Sequence, residues 1–122
     1  MSYLLVFLGG GIGAALRHGV NVASLRAFGP GLPWGTFAVN VLGSLAMGAL
    51  IGWLALRAGS SAEVRLFAAT GILGGFTTFS AFSLDLANLI ERGEALTAFA
   101  YALGSVGIAL AALLLGLALV RV

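Results

Sequence analysis

The ten charged residues of this chain are so widely spaced that they leave four apolar segments, each long enough to cross a bilayer. The charges fall at Arg17, Arg26, Arg57, Glu63, Arg65, Asp85, Glu91, Arg92, Glu94 and Arg121. The apolar segments cover about residues 3–24, 34–56, 66–90 and 95–120. A soluble domain would carry charge on roughly a quarter of its residues, whereas here the share is 8% and the mean hydropathy is +1.13. The expected fold is an all-α integral membrane protein with four transmembrane helices, residues 1–122 forming one domain.

The same arithmetic removes several classes. Six Arg against four acids, with no Lys, is too sparse a basic set for a nucleic-acid surface, so nucleic acid is not an expected partner. With no Cys there is no disulfide framework and no thiolate chemistry. The single His18 has no cluster of Cys or carboxylates around it and is read as interfacial rather than as a metal ligand. No nucleophile–base pair is apparent, which argues against an enzyme. The first segment lacks a basic lead and is interrupted by Gly9, Gly10, Gly11 and Gly13, so it reads as a retained helix and not a cleaved signal peptide.

Short connections order the helices. The stretch from Phe28 to Pro33 carries Gly29, Pro30, Gly31 and Pro33 and permits no helix through it. Residues 58–61 read as a polar turn and 91–94 as a hairpin-sized link, so neighbouring helices run antiparallel. Trp34 and Trp53 are 19 residues apart, roughly 28 Å along a helix, and read as anchors at the two interfaces. Arg57, Arg65 and Arg121 fall on one side of the membrane, and Arg26, Arg92 and a snorkelling Arg17 on the other. So even a division gives almost no positive-inside bias. Either one loop decides a single orientation despite this balance, or such a chain inserts both ways up and forms an antiparallel homodimer, its two-fold axis lying in the membrane plane.

Polar groups at membrane depth are the default functional candidates, because each needs a partner or a wet path. Asn40 lies six residues beyond Trp34. Its amide fits either an interhelical hydrogen bond or a donor to an anion. Gly43 and Gly48 on the same span read as packing positions. The run Thr70-Gly-Ile-Leu-Gly-Gly-Phe-Thr-Thr-Phe-Ser-Ala-Phe-Ser83 is the least ordinary in the chain. Its Gly74-Gly75 pair, followed by Thr77, Thr78 and Ser80, is a place for the third helix to break near its centre or to kink with hydroxyl back-bonding. A break would free neutral carbonyls suited to a hard, weakly charged cation. Phe76, Phe79 and Phe82 recur every three residues and would share a helix face, as a packing stripe or as ring edges beside an anion. Tyr101 and Ser105 form an i, i+4 pair that adds donors to a polar track. Arg17 and Asp85 read as anchors near the membrane edges.

Three pieces in order, Gly9-Gly-Gly-Ile-Gly-Ala-Ala-Leu-Arg17, Gly35-Thr-Phe-Ala-Val-Asn40 and Gly71-Ile-Leu-Gly-Gly-Phe-Thr-Thr-Phe-Ser-Ala-Phe-Ser83, make the chain resemble the CrcB, or Fluc, family of fluoride channels along nearly its whole length. The resemblance implies a dual-topology homodimer in the cell membrane, of bacterial inner-membrane type, with two fluoride pores flanking a central structural sodium ion. It implies that the carbonyls of Gly74 and Thr77 hold that sodium and that Phe79 and Phe82 are pore aromatics. It further implies that Asn40, Thr78, Ser80, Ser83, Tyr101 and Ser105 line the fluoride path, with Arg17 at a vestibule. Three positions depart from the family pattern: Ala81 and Ala109 stand where hydroxyl residues are frequent, and Asp85 where Glu is usual.

Two other functions compete. A small multidrug exporter is also a short four-helix dual-topology protein, but proton-coupled cation export needs a buried carboxylate. The first span has none, and Asp85 is the sole candidate. A structural or assembly subunit would use the glycines for packing alone.

Overall fold

The computed structural model describes residues 1–57, 59 and 61–121, and these are all-helical or in short links. Four helices are long and apolar enough to cross a membrane. The first is α1 (Ser2–Phe28) and the second α2 (Trp34–Leu56). The third span is built in two pieces. Its first piece, α3, starts as a turn at Ala62–Arg65, widens into a π-helix over Leu66–Leu73 and closes at Gly74–Phe76. The second piece is α4 (Ser80–Glu91), and α5 (Ala95–Arg121) is the last span. The polar turn expected over 58–61 lies partly outside the described residues, at positions 58 and 60.

The helix ends follow local chemistry. α1 runs past the expected end at residue 24 to Phe28, with Arg26 in its last turn facing the negative end of the helix dipole. Gly29 then takes a positive φ of 76°, its N–H donating to the Leu25 carbonyl, and the chain leaves the helix. The link after α4 works the same way, with Gly93 at φ 80° and the Glu94 N–H donating to the Leu89 carbonyl. Ser61 caps α3, accepting from the Glu63 N–H at 3.0 Å. Trp34 packs against Phe28 and Phe37, and the Arg57 guanidinium lies 4.3 Å above the Trp53 ring, so the ends of α2 are marked by aromatic clusters.

Two seams hold the four spans together. In lipid, helix association relies on close van der Waals fit rather than on expulsion of water, which favours glycine where backbones meet. α1 lies along α3, with Gly9 against Gly71 and the Phe67 carbonyl, Gly13 against the Ile72 carbonyl, and Gly75 against Gly10. α2 lies along α5, with Gly48 on the Leu113 carbonyl and Gly116 on the Leu45 carbonyl. The α2–α5 contact is the most extensive in the protein and α1–α3 the next. By contrast α4 touches the rest of the chain sparsely, chiefly α5.

Candidate functional site

The third span does open, two residues beyond the glycine pair. Gly74 and Gly75 remain helical, and the backbone turns extended at Thr77 (φ −82°, ψ 158°). The reason is packing: a side chain at position 75 would run into the backbone of Gly10, so Gly75 serves the α1–α3 seam. The chain breaks where threonines can replace the lost helical bonds. Thr77 directs both its N–H (3.1 Å) and its hydroxyl (3.0 Å) at the Leu73 carbonyl, closing α3. Thr78 Oγ1 accepts from the Ala81 N–H at 3.2 Å and lies 3.3 Å from Ser80 Oγ, opening α4.

Asn40 completes the break from the neighbouring helix. Its Nδ2 donates to the Thr78 carbonyl at 2.9 Å, and its Oδ1 accepts from the Thr78 N–H at 2.8 Å. Both uses of the amide foreseen from sequence are therefore open together: one amide hydrogen and the oxygen are committed to Thr78, and the second hydrogen on Nδ2 remains free. The carbonyls of Gly74 and Thr77 accept no hydrogen bond from any described residue.

The break also divides the phenylalanine row. Phe76 ends α3 and Phe82 lies on α4, so the three rings do not share one helix face. Phe82 is buried while Phe79 is 76% exposed, their ring centroids 5.6 Å apart. Phe82 in turn packs on Tyr101 at 5.2 Å. The Tyr101 hydroxyl donates to Asp85 Oδ2 at 3.2 Å, which ties α5 to α4 and gives Asp85 a bonded place rather than a free edge position.

A groove of about 380 Å³ collects most of these residues between α2, α5 and the break. Asn40, Gly74, Thr77, Thr78, Phe79, Phe82 and Ser105 line it, joined by Ser44, Val106 and Ala109. No charged side chain lies among the lining residues. Ser105 is 95% buried by its 5% exposure, and its Oγ has no hydrogen-bond partner. Of the other candidates, Ser80 and Ser83 are exposed on α4 outside the lining, and Tyr101 lies outside it too, packed on Phe82. Arg17 stands one turn beyond Gly13, away from this groove, with its Nε buried and unpaired. Ser44 escaped the sequence reading, although its i+4 spacing from Asn40 put it on the same face.

An uncharged groove lined by amide, hydroxyl and aromatic groups, built beside a broken helix within four spans, defines a membrane channel or carrier for a small ion. Comparison with known proteins sharpens this class. Residues 4–117 match the family model described as CrcB-like protein, Camphor Resistance (CrcB). The fluoride-specific ion channel FluC of Mesorhizobium japonicum is 64% identical over 120 residues, covering 98% of this chain and 96% of that protein. The fluoride-specific ion channel FluC 2 of Nitrobacter hamburgensis is 58% identical, covering 99% of this chain and 98% of its own length. A FluC channel of Rhodopseudomonas palustris is 59% identical across 99% of this chain and 98% of its own. The chain belongs to the CrcB family and is a multi-pass integral membrane protein of the cell membrane.

Proposed function

We propose that this protein is a passive fluoride channel that exports cytoplasmic fluoride, and not an enzyme. The observation that carries the reading is the groove itself, whose donors are all neutral and include a buried Ser105 hydroxyl with no protein partner. Fluoride is small and tightly hydrated, so a selective path must replace water with several donors in a narrow space. Fixed cations along the path would hold the ion too firmly for it to leave, and they would admit larger anions as well. The free Nδ2 hydrogen of Asn40, the Ser105 hydroxyl and the positive ring edges of Phe79 and Phe82 supply such donors without charge. Fluoride that enters as its neutral acid ionises inside and accumulates, and a constitutive leak lets it out down its gradient. The rival exporter reading needs a carboxylate facing substrate, and none lines the groove; Asp85 accepts the Tyr101 hydroxyl instead.

The working unit in this reading is an antiparallel homodimer of dual topology with two pores. The near-even split of arginines between the two sides supports it, as do Gly104 and Gly107, which meet nothing within the protomer. A structural sodium ion belongs to the same reading, and the donor chemistry of the break fits it. Gly74 and Thr77 offer neutral carbonyls without hydrogen-bond donors, hard oxygen ligands of the kind a sodium ion takes. When bound, the ion supplies a positive charge at the helix break. Thr77 and Thr78 hold the backbone open, and Asn40 fixes Thr78 in place.

The test is efflux from liposomes containing the purified protein. Fluoride release that carries current and ignores a pH gradient supports the channel. Proton-coupled transport of organic cations, with no fluoride release, refutes it. Labelling one terminus from both faces of the membrane tests dual topology, and labelling from a single face rejects it.

A further inference from the structure

Ser44 lines the groove beside the expected pore residues, and its neighbours show at what depth it acts. Gly48 meets the Leu113 carbonyl, Gly116 meets the Leu45 carbonyl, and Gly52 meets Val120 and Leu117, so α2 and α5 advance in the same direction. Both helices rise equally per residue. A helical carbonyl points toward the C-terminus, so these contacts set Gly48 between Leu113 and Gly116; carried back one turn, Ser44 stands just beyond Ala109, and carried back two, Asn40 stands just beyond Ser105. All four residues line the same groove.

The donors therefore form two tiers. The first holds Asn40 on α2 and Ser105 on α5. In the second tier α5 presents only the methyl group of Ala109, and the hydroxyl at that level is Ser44 on α2. A helical serine ordinarily turns its hydroxyl back to a carbonyl of the preceding turn. Ser44 makes no such bond and no other hydrogen bond among the described residues, so its proton is free for a ligand. Without it, a fluoride ion leaving the first tier would meet the Ala109 methyl group and the carbonyls of Gly74 and Thr77, none of which donates to an anion, at the cost of an unreplaced hydration shell.

We infer that Ser44 is a conduction residue of the pore, carrying on α2 the second-tier hydroxyl that α5 lacks at Ala109. The inference rests on the fluoride-channel reading and adds a residue to it: the ion passes from a tier with donors on both helices to one whose donor is on α2 alone. A structural role would make Ser44 replaceable by Ala and indifferent to what occupies position 109.

The experiment compares the parent, Ser44→Ala, and the double variant Ser44→Ala with Ala109→Ser in fluoride-loaded liposomes, reading both the rate and the final extent of release. Extent reports how many vesicles hold a folded channel, and rate reports conduction, so loss of folded protein does not pass for loss of a donor. Ser44→Ala is expected to slow release by about tenfold, the loss of one hydrogen bond to a charged partner. The double variant is expected to regain most of that rate, because the hydroxyl returns close to the same depth from the opposite wall. A Ser44→Ala rate within about twofold of the parent, or a slowed rate that Ala109→Ser does not restore, overturns the proposal. Absence of release from the parent overturns the channel reading itself, a result distinct from either.

Discussion

The two pieces of the third span, α3 before the break and α4 after it, are held by opposite means. α3 is strapped to α1 by backbone lying on backbone, through Gly9, Gly13, Gly71 and Gly75. α4 has no such seam. It is tethered by side chains: Phe82 against Tyr101, the Tyr101 hydroxyl on Asp85, and a fully buried Leu89. Glycine contacts fix a helix rigidly because nothing at them can rotate, whereas side-chain contacts leave polar atoms at the surface of the contact. The break thus joins a rigid half that sets position to a looser half that carries the rings and hydroxyls.

That contrast can be broken at its joint. Asn40→Leu keeps the bulk but removes both bonds to Thr78, leaving an N–H and a carbonyl orphaned at membrane depth. The expected loss is about 3 kcal/mol of stability, read by denaturation in detergent, together with near-complete loss of fluoride release. Retention of both would mean that the break holds without the clamp. Gly13→Ala attacks the rigid half, since the new methyl meets the Ile72 carbonyl. It is expected to cost about 1–3 kcal/mol, and a neutral result would show that α1 and α3 can slide apart freely. In the looser half, Tyr101→Phe removes the bond to Asp85 while keeping the ring on Phe82. About 1 kcal/mol is expected, smaller than either change above; a loss as large as that of Gly13→Ala would abolish the distinction between the two halves. Gly104→Ala comes last, with nothing near it in the protomer. A gain of up to about 1 kcal/mol in helix stability is expected from thermal melts of the protein in detergent at dilutions that separate copies, and a loss there would show a crowded site inside the protomer.

Much of this was legible beforehand, for identifiable reasons. The four spans followed from charge spacing, because a bilayer penalises every charge within it. α2 begins at Trp34 and ends at Leu56 as expected, since Pro33 and an interfacial tryptophan mark its start. α1 and the third span run longer than expected, their ends being set by Arg26 and by the Ser61 cap rather than by hydropathy. The break was foreseen within the run from Gly74-Gly75 through Thr77 and Thr78, and it lies at Thr77 and not at the glycines, because local flexibility does not reveal that Gly75 is pressed against Gly10. The phenylalanine spacing suggested one face, and it failed as a helical rule because the helix it presumed is interrupted. Asn40 was singled out by its depth and by the family resemblance, and nothing in its own segment pointed to Thr78, 38 residues away.

The sequence by itself determined the medium, the number of spans and the neutral chemistry of the polar groups, since these follow from which residues occur and how far apart they stand. Only the tertiary structure decided which polar groups meet. It set Ser44 just beyond Ala109, engaged Asn40 with Thr78 and left the Ser105 hydroxyl without a hydrogen bond. Those outcomes depend on the relative height of helices far apart in the chain, and that height is fixed by glycine contacts such as Gly48 on Leu113, which exist only once the helices have packed.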